Sequence, residues 1–404
     1  MRVLIHSDEY YPTAQACAYR MQVIADTFIS LGDEVTVITS SANKASGIVD
    51  KNSHNERIIY SPSIRMKKKT TIMRMLNNLS FGFSSLFSAI RVGKVDVVIT
   101  TSPPPLISIS GWLIARCKRA KLVYDVRDIW PDVALEMGSF SEKSFFCKVF
   151  RRIVKFMYKH SDIITTVSPG KVEKIKSHVG SLKGKKAGQS NIAKVWLVGN
   201  GFDETISCST FDQTIVDKYE MDRHFTCVYI GNIGLAQGLG SLLDVAAKTK
   251  HKNVQFLCFG KGAKKEELEK RVLDDKLDNV KFCGVLEHSK VYSILSAARL
   301  SFIPLKSSNM KDSVPTKIYE ALGIGCPVLL LAEGDSVSIV KESGLGTCVS
   351  PDNVENLVDV FDTMIDNYSS FEQNKEKAIS LMKVKYSRQT IAKDFNRKLK
   401  EYCK

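Results

Sequence analysis

Apolar residues fall into short runs, separated by segments in which they recur at helical intervals. Arg2–His6, Glu34–Thr39, Val95–Thr100, Lys121–Asp125 and Asp162–Val167 are rich in β-branched residues and too short for helices, so they read as buried strands. Between them, Ala18–Leu31, Gly111–Lys118 and Phe145–His160 have helical spacing, and Gly32 ends the first. The pattern then restarts. Thr226–Ile230, Val254–Phe259, Val280–Cys283, Leu300–Pro304, Pro327–Leu331 and Gly346–Val349 read as strands, with helices at Leu239–Lys248, Lys265–Asp274 and Lys290–Ala297. Alternating strands and helices predict parallel, doubly wound sheets, and the restart predicts two α/β domains joined near residue 200. Two such sheets facing each other leave a cleft at the carboxyl ends of their strands, so chemistry is to be sought in the loops there. The polar, Gly/Lys-rich Ser181–Asn191 reads as a loop, and no solenoid-type repeat is visible.

Composition narrows the classes. A chain of 404 residues with 44% apolar and 25% charged residues is ordinary globular material, long enough for two or three cores. The ten cysteines are scattered, with no C-x-x-C pair, which argues against a zinc or iron–sulfur centre and for a reducing compartment. The start, Met1–Ser7, is too short an apolar run for a signal peptide and is followed at once by Asp8 and Glu9. The uncharged stretch Val97–Ala115 approaches the length of a spanning helix, but Pro103-Pro104-Pro105 breaks it into a strand, a turn and a helix.

The net charge of +15 is local. Arg57–Val95 holds eight basic residues and no acidic one, and Lys143–Lys186 holds twelve against Asp162 and Glu173. The first stretch, with Lys67, Lys68, Lys69 and Arg74, also carries Leu76, Leu79, Phe83, Phe87 and Ile90. Basic residues beside Leu and Phe suit an anionic membrane surface; a buried helix after a solvated basic loop is the plainer alternative. No nucleic-acid-binding motif is present, so no nucleic-acid partner is expected.

The most informative loop runs from Lys306 to Pro327. Polar residues feed a short helix that has Pro315 near its start and Gly323 or Gly325 at its end. A helix start offers free N–H groups to a phosphate. Lys317 and Glu320 share a helix face, so a cation could meet a diphosphate while a carboxylate grips a sugar hydroxyl pair. A surface ion pair with an ordinary cap fits the same spacing.

Asp312, seven intervening residues and Glu320 resemble the acidic E-x7-E motif of retaining glycosyltransferases of family 4, which have the GT-B fold. The resemblance covers nearly the whole chain. Tyr229–Gly238 is similar to the Gly-rich loop that opens the donor domain, and Phe259–Gly262 and Phe282–Val285 to later strand ends. Asn200-Gly201-Phe202-Asp203 is similar to the domain junction. Ser102–Pro105 and Asp125–Pro131 resemble the WbuB-like branch that builds bacterial surface polysaccharides.

The resemblance implies two Rossmann-like domains, acceptor-binding over 1–199 and nucleotide-sugar-binding over 200–382, with 383–404 as a helix packing back on the first. It implies that Glu320 bonds the ribose and that Asp312 lies near the donor sugar. The Gly231–Gly234 backbone and Lys317 would face the diphosphate, Gly260 and Val285 would line the base pocket, and Asn232 and Lys261 would also contact the donor. Asp128 and Arg127 would face the acceptor, with Trp130 as a wall. The donor would be a nucleotide sugar of the UDP–N-acetyl-hexosamine type. The acceptor would be a lipid-linked saccharide such as an undecaprenyl-diphosphate sugar, at the inner face of the plasma membrane. Charge growing on the leaving diphosphate can be met by fixed N–H groups and a cation, so no metal or cofactor is expected.

Four features depart from the family pattern. Asp312 is one methylene shorter than Glu. Leu235 and Gln237 stand where Arg and Lys are common, which shifts phosphate contact toward Lys317. Pro12–Ala16 lacks the usual paired Gly, and Arg127 replaces a common His. Elsewhere plain structural readings compete: His6 at a buried strand end, Asp125 as a strand-end cap, His288, Glu333 and Asp335 as solvated turns. A non-hydrolysing sugar-nucleotide epimerase and a non-catalytic basic scaffold stay open as other functions.

Overall fold

The computed structural model describes residues 1–11, 16–43, 55–64, 71–136, 141–181 and 193–404. It divides into two compact units, Met1–Asn200 with Arg388–Lys404, and Gly201–Ser387.

The first unit is built on seven strands: β1 (Arg2–His6), β2 (Glu34–Ser40), β3 (Arg57–Ser61), β4 (Val97–Ser102), β5 (Lys121–Val126), β6 (Ile163–Thr166) and β7 (Lys194–Leu197). Their order is β3-β2-β1-β4-β5-β6-β7, every pairing parallel. Parallel strands need crossover helices, and these cover both faces, which is why all six residues of β4 are buried. One face carries Leu4, Val98, Leu122, Tyr124 and Ile164 against helices that include Thr71–Ile90, Pro105–Lys118 and Phe145–His160. Val3, Ile5, Ile99, Val123 and Ile163 point the other way, toward Ala16–Ser30 and the last helix, Arg388–Cys403. Phe28 and Phe395 meet there at 5.7 Å between ring centroids. Buried Asp33 ties this end together, taking the terminal ammonium of Met1 at 2.8 Å, Lys400 at 2.9 Å and the side-chain amide of Asn396.

The second unit holds β8 (Phe225–Ile230), β9 (Val254–Phe259), β10 (Val280–Gly284), β11 (Leu300–Pro304), β12 (Val328–Leu331) and β13 (Gly346–Val349), in the order β10-β9-β8-β11-β12-β13. All pairs are again parallel. The strand order reverses between β8 and β11, the place where open α/β sheets take ligands.

Most expected elements are present, and the differences have local causes. Two edge strands, β3 and β7, were not expected; they are only partly buried, and the apolar run within each, Ile58–Tyr60 and Val195–Leu197, is three residues long. The helix Pro169–Ser181 was also unexpected, its apolar residues being spaced among lysines. The third helix begins at Pro105 rather than Gly111. Proline suits the first helical position, where its missing N–H has no intrahelical partner. Gly111 therefore lies inside the helix, and a Cβ there would come within 2.4 Å of the Thr100 hydroxyl oxygen. Among the described residues no helix is long and apolar enough to cross a membrane. Lys67, Lys68, Lys69 and the loop at Pro12–Gln15 lie outside the described residues.

Because Gly111 is set by this close approach, Gly111→Ala should lose about 1–3 kcal/mol of unfolding free energy through overpacking, despite alanine's better helix propensity. Urea denaturation checks it; an unchanged or higher midpoint would show that Thr100 yields freely.

Candidate active site

The second unit's site grows from the carboxyl ends of β8 and β9. Gly231 and Gly260 follow these strands with φ of +147° and +149°, a backbone region that side chains strain. A Cβ on Gly260 would lie 1.8 Å from the Gly231 carbonyl oxygen, and one on Gly262 2.1 Å from that of Ile233. Glycine thus lets the two loops touch backbone to backbone. Gly231 N–H donates to the Phe259 carbonyl and Ile233 N–H to that of Lys261, both at 2.9 Å. The loop's far end is fixed too, since Lys306 N–H donates to Ala236 at 2.9 Å, across the switch point.

These bonds alter the expected role of the Gly231–Gly234 backbone. The amides of Gly231 and Ile233 already serve protein carbonyls. That of Gly234 donates to the side-chain oxygen of Gln237 at 3.1 Å, which also takes the Asn232 side-chain amide at 3.4 Å. Gln237 thus fills the acceptor position that an anion's oxygen would need at Gly234. The cation of the site is Lys317. Its ammonium lies 3.9 Å from the centroid of the Tyr229 ring, and a Cβ on Gly231 would be 2.9 Å from it. The Tyr229 hydroxyl donates to the Asn232 carbonyl, which holds the ring as a platform. Burial pushes Lys317 down to about 7, with Glu320 opposing the shift.

Lys317 and Glu320 lie in the helix Thr316–Ile324, which closes at Gly325 with φ of +85°. Pro315 precedes the helix and gives no side-chain cap, so its first N–H groups are not claimed by one. Half-buried Asp312 sits in the turn before it. That turn is stapled to the next helix, Asp335–Ser343: Asp335 N–H donates to the Lys311 carbonyl at 2.8 Å and the Ser336 hydroxyl to that of Ser313. Gly260 lies beside Gly231, whereas Lys261 and Val285 are exposed, Val285 at 66%.

The first unit's strand ends hold a separate cluster. Arg127 donates to the Pro103 carbonyl at 2.6 Å, and Lys171 bonds the Arg127 carbonyl at 2.7 Å and the Asp128 carboxylate at 3.0 Å. A guanidinium stays protonated, so Arg127 can position or attract but cannot act as a base. Asp125 is structural: its carboxylate is buried against Arg20 at 3.1 Å and the Thr165 hydroxyl at 2.8 Å. His6 is structural as well, lying between Thr100 and Ser85, stacked on Phe81 and pushed by burial down to about 4. Trp130 packs edge-on to Phe150 at 5.4 Å. Arg74 is exposed near the start of the helix Thr71–Ile90. Sequence reasoning overlooked Tyr229, Lys171 and Asp8, and singled out Gln237 only as a missing cation rather than as the partner of the Gly234 amide. Asp8 is pushed up to about 7 by burial and by neighbouring Glu9, partly offset by Arg127.

Comparison with known proteins assigns the chemistry. Residues 212–380, which contain this switch-point site, match the family Glycosyl transferases group 1. The chain is a glycosyltransferase. It is 22% identical over 324 residues to WbjE of Pseudomonas aeruginosa, a probable glycosyltransferase, spanning 76% of this chain and 79% of that one. WcaI of Escherichia coli (strain K12), named as a colanic acid biosynthesis glycosyl transferase, is 23% identical over 376 residues, 89% of this chain and 90% of its own. The architecture is GT-B. HepE from Anabaena, solved with UDP-glucose, superposes with a TM-score of 0.74 at 16% identity over 99% of this glycosyltransferase and 100% of that chain. Sucrose-phosphate synthase from Thermosynechococcus elongatus gives 0.77 at 14%, over 99% and 98%.

The contact at Gly260 leaves no room for a side chain. Gly260→Ala should lower the melting temperature by several degrees, corresponding to about 2–4 kcal/mol in this two-unit enzyme, and should disorder the Gly231 loop. Thermal unfolding with proteolysis of the loop measures both, and wild-type behaviour would show that the loops do not meet as described.

Proposed function

We propose that this glycosyltransferase moves a sugar from a UDP-linked donor to a lipid-linked saccharide in bacterial surface-polysaccharide synthesis, with retention of anomeric configuration. The observation carrying the donor reading is the Lys317 ammonium held over Tyr229 at the end of β8, beside an uncapped helix start and three residues from Glu320. A diphosphate needs a cation and N–H donors, and a ribose diol suits a carboxylate. The name of WcaI supports the pathway, and the UDP-glucose bound to HepE supports the donor class. The Ser102–Pro105 and Asp125–Pro131 segments favour the WbuB-like branch.

In the reaction the bond between the sugar's anomeric carbon and the β-phosphate oxygen breaks. A bond to the acceptor oxygen forms on the same face, and the acceptor's proton passes to the departing diphosphate. Lys317 and the helix N–H groups stabilise the charge that grows there. Glu320 holds the ribose, Asp312 the sugar hydroxyls, and Arg127 with Asp128 the acceptor. Donor entry would displace the Gln237 oxygen from the Gly234 amide.

The test is incubation with UDP-N-acetyl-hexosamines, with and without undecaprenyl-diphosphate-linked sugar. Release of UDP only with acceptor is expected; donor conversion without acceptor would instead establish the epimerase. Glu320→Ala should abolish turnover at unchanged melting temperature, and retained activity would remove the ribose role. Lys317→Met should weaken UDP-sugar binding about tenfold or more. Because Lys317 titrates near 7 and the bound diphosphate favours its charged form, wild-type affinity should be highest below pH 7 and fall as pH rises above it. The variant should show no such fall in calorimetry; a fall equal to that of the wild type would place the titration elsewhere.

A further inference from the structure

The helix Thr71–Ile90 is apolar on its outer face as well as on its inner one, where Phe81 and Ala89 enter the core. Toward the protein it buries polar residues: Asn77 donates to the Ile64 carbonyl at 2.7 Å, Ser88 accepts from the Ser61 hydroxyl at 2.7 Å and Ser85 meets His6 at 3.0 Å. Outward it presents Leu76 (43% exposed), Leu79 (52%), Phe83 (66%), Phe87 (58%) and Ile90 (76%). At 100° per residue these five fall within an arc of about 80°, along about 21 Å of axis. Phe83 and Phe87 touch edge to face at 5.2 Å. An apolar row this long, left to water, marks an interaction surface.

The neighbouring helices indicate what covers it. Thr71–Ile90 packs on Pro105–Lys118, which packs on Phe145–His160, in one layer on one face of the sheet. These three helices hold eight Lys and Arg residues and no Asp or Glu. The outward row of the third is Phe145, Lys148, Arg152, Lys155 and Lys159, again at helical intervals. An aliphatic–aromatic row beside a basic row is the pattern of a helix lying at the boundary of an anionic bilayer, apolar side down and charges at the headgroups. A second copy of the same face would bring like charges together, and a nucleic acid would leave the Leu and Phe row uncovered.

We propose that this three-helix face of the first unit docks on an anionic lipid surface, with the row from Leu76 to Ile90 entering the headgroup–acyl boundary and the row from Lys148 to Lys159 meeting lipid phosphates. The proposal does not depend on the donor site in the other unit. It specifies the surface by which a lipid-linked acceptor would be approached.

The experiment is flotation of the full chain with phosphatidylcholine vesicles, pure or containing about 30% phosphatidylglycerol, at low salt and at about 0.5 M salt. The wild type should float with the anionic vesicles only, and salt should weaken this. The substitution pair Phe83→Gln and Phe87→Gln should reduce binding about tenfold at both salts, because the apolar contribution is unscreened. The triple Lys148→Glu, Lys155→Glu and Lys159→Glu should abolish binding at low salt. All these residues are exposed, and an unchanged circular dichroism spectrum and melting temperature certify folded variants without reference to the donor site, so failure here is distinguishable from failure of that site. Equal flotation of wild type and variants, no flotation of the wild type, or loss of a dimer or of RNA binding in place of vesicle binding would each overturn the proposal.

Discussion

The contact between the Gly231 carbonyl and Gly260 is the constraint from which the candidate site of the second unit is built. Two strand ends can approach this closely only without side chains, and the positive φ at both positions admits glycine at little cost. Once the loops meet, their amides are spent on each other. That leaves little backbone N–H for a ligand, and the open position over Gly231 is taken by Lys317. The same geometry explains the site's electrostatics. A lysine kept close to glycine backbone and an aromatic face is partly stripped of water, so it loses its proton far more easily than a surface lysine. It stands ready to regain that charge when an anion arrives.

Much of this was legible in the sequence. Short, mostly apolar runs such as Val254–Phe259 read as strands buried on both faces, and their alternation with helical segments gave two parallel sheets. Pro315, Gly325 and the spacing of Lys317 and Glu320 located a short helix at a strand end. Hidden from sequence were the details that depend on three-dimensional approach. Tyr229 looks like any alternate residue of a buried strand, and its role as a platform arises only when Lys317 folds over it. Gln237 stands where a cation is common, and only the folded loop shows its side chain occupying the Gly234 amide. Gly111 reads as a helix start because glycine is costly within a helix, yet it is interior because Thr100 lies against it. The burial of Asp8, which moves its titration into the neutral range, leaves no trace in residue order.

The two units distribute charge differently. In the second, the half-buried Lys317 is placed three residues from Glu320 on one helix, which suits one small anionic ligand. In the first, basic residues are spread over helix surfaces while the strand ends are locked by internal bonds, Arg127 to Pro103 and Lys171 to Asp128. Spread charge next to exposed Phe and Leu suits an extended surface rather than a pocket.

A crystal structure of the full chain with an intact UDP-sugar tests the central claim most directly. The account predicts the diphosphate within hydrogen-bond distance of Lys317 Nζ and the start of the Thr316–Ile324 helix, the ribose on Glu320, and the Gln237 side chain displaced from Gly234. A diphosphate bound away from the end of β8, with Lys317 still stacked on Tyr229 and touching no ligand, would contradict it.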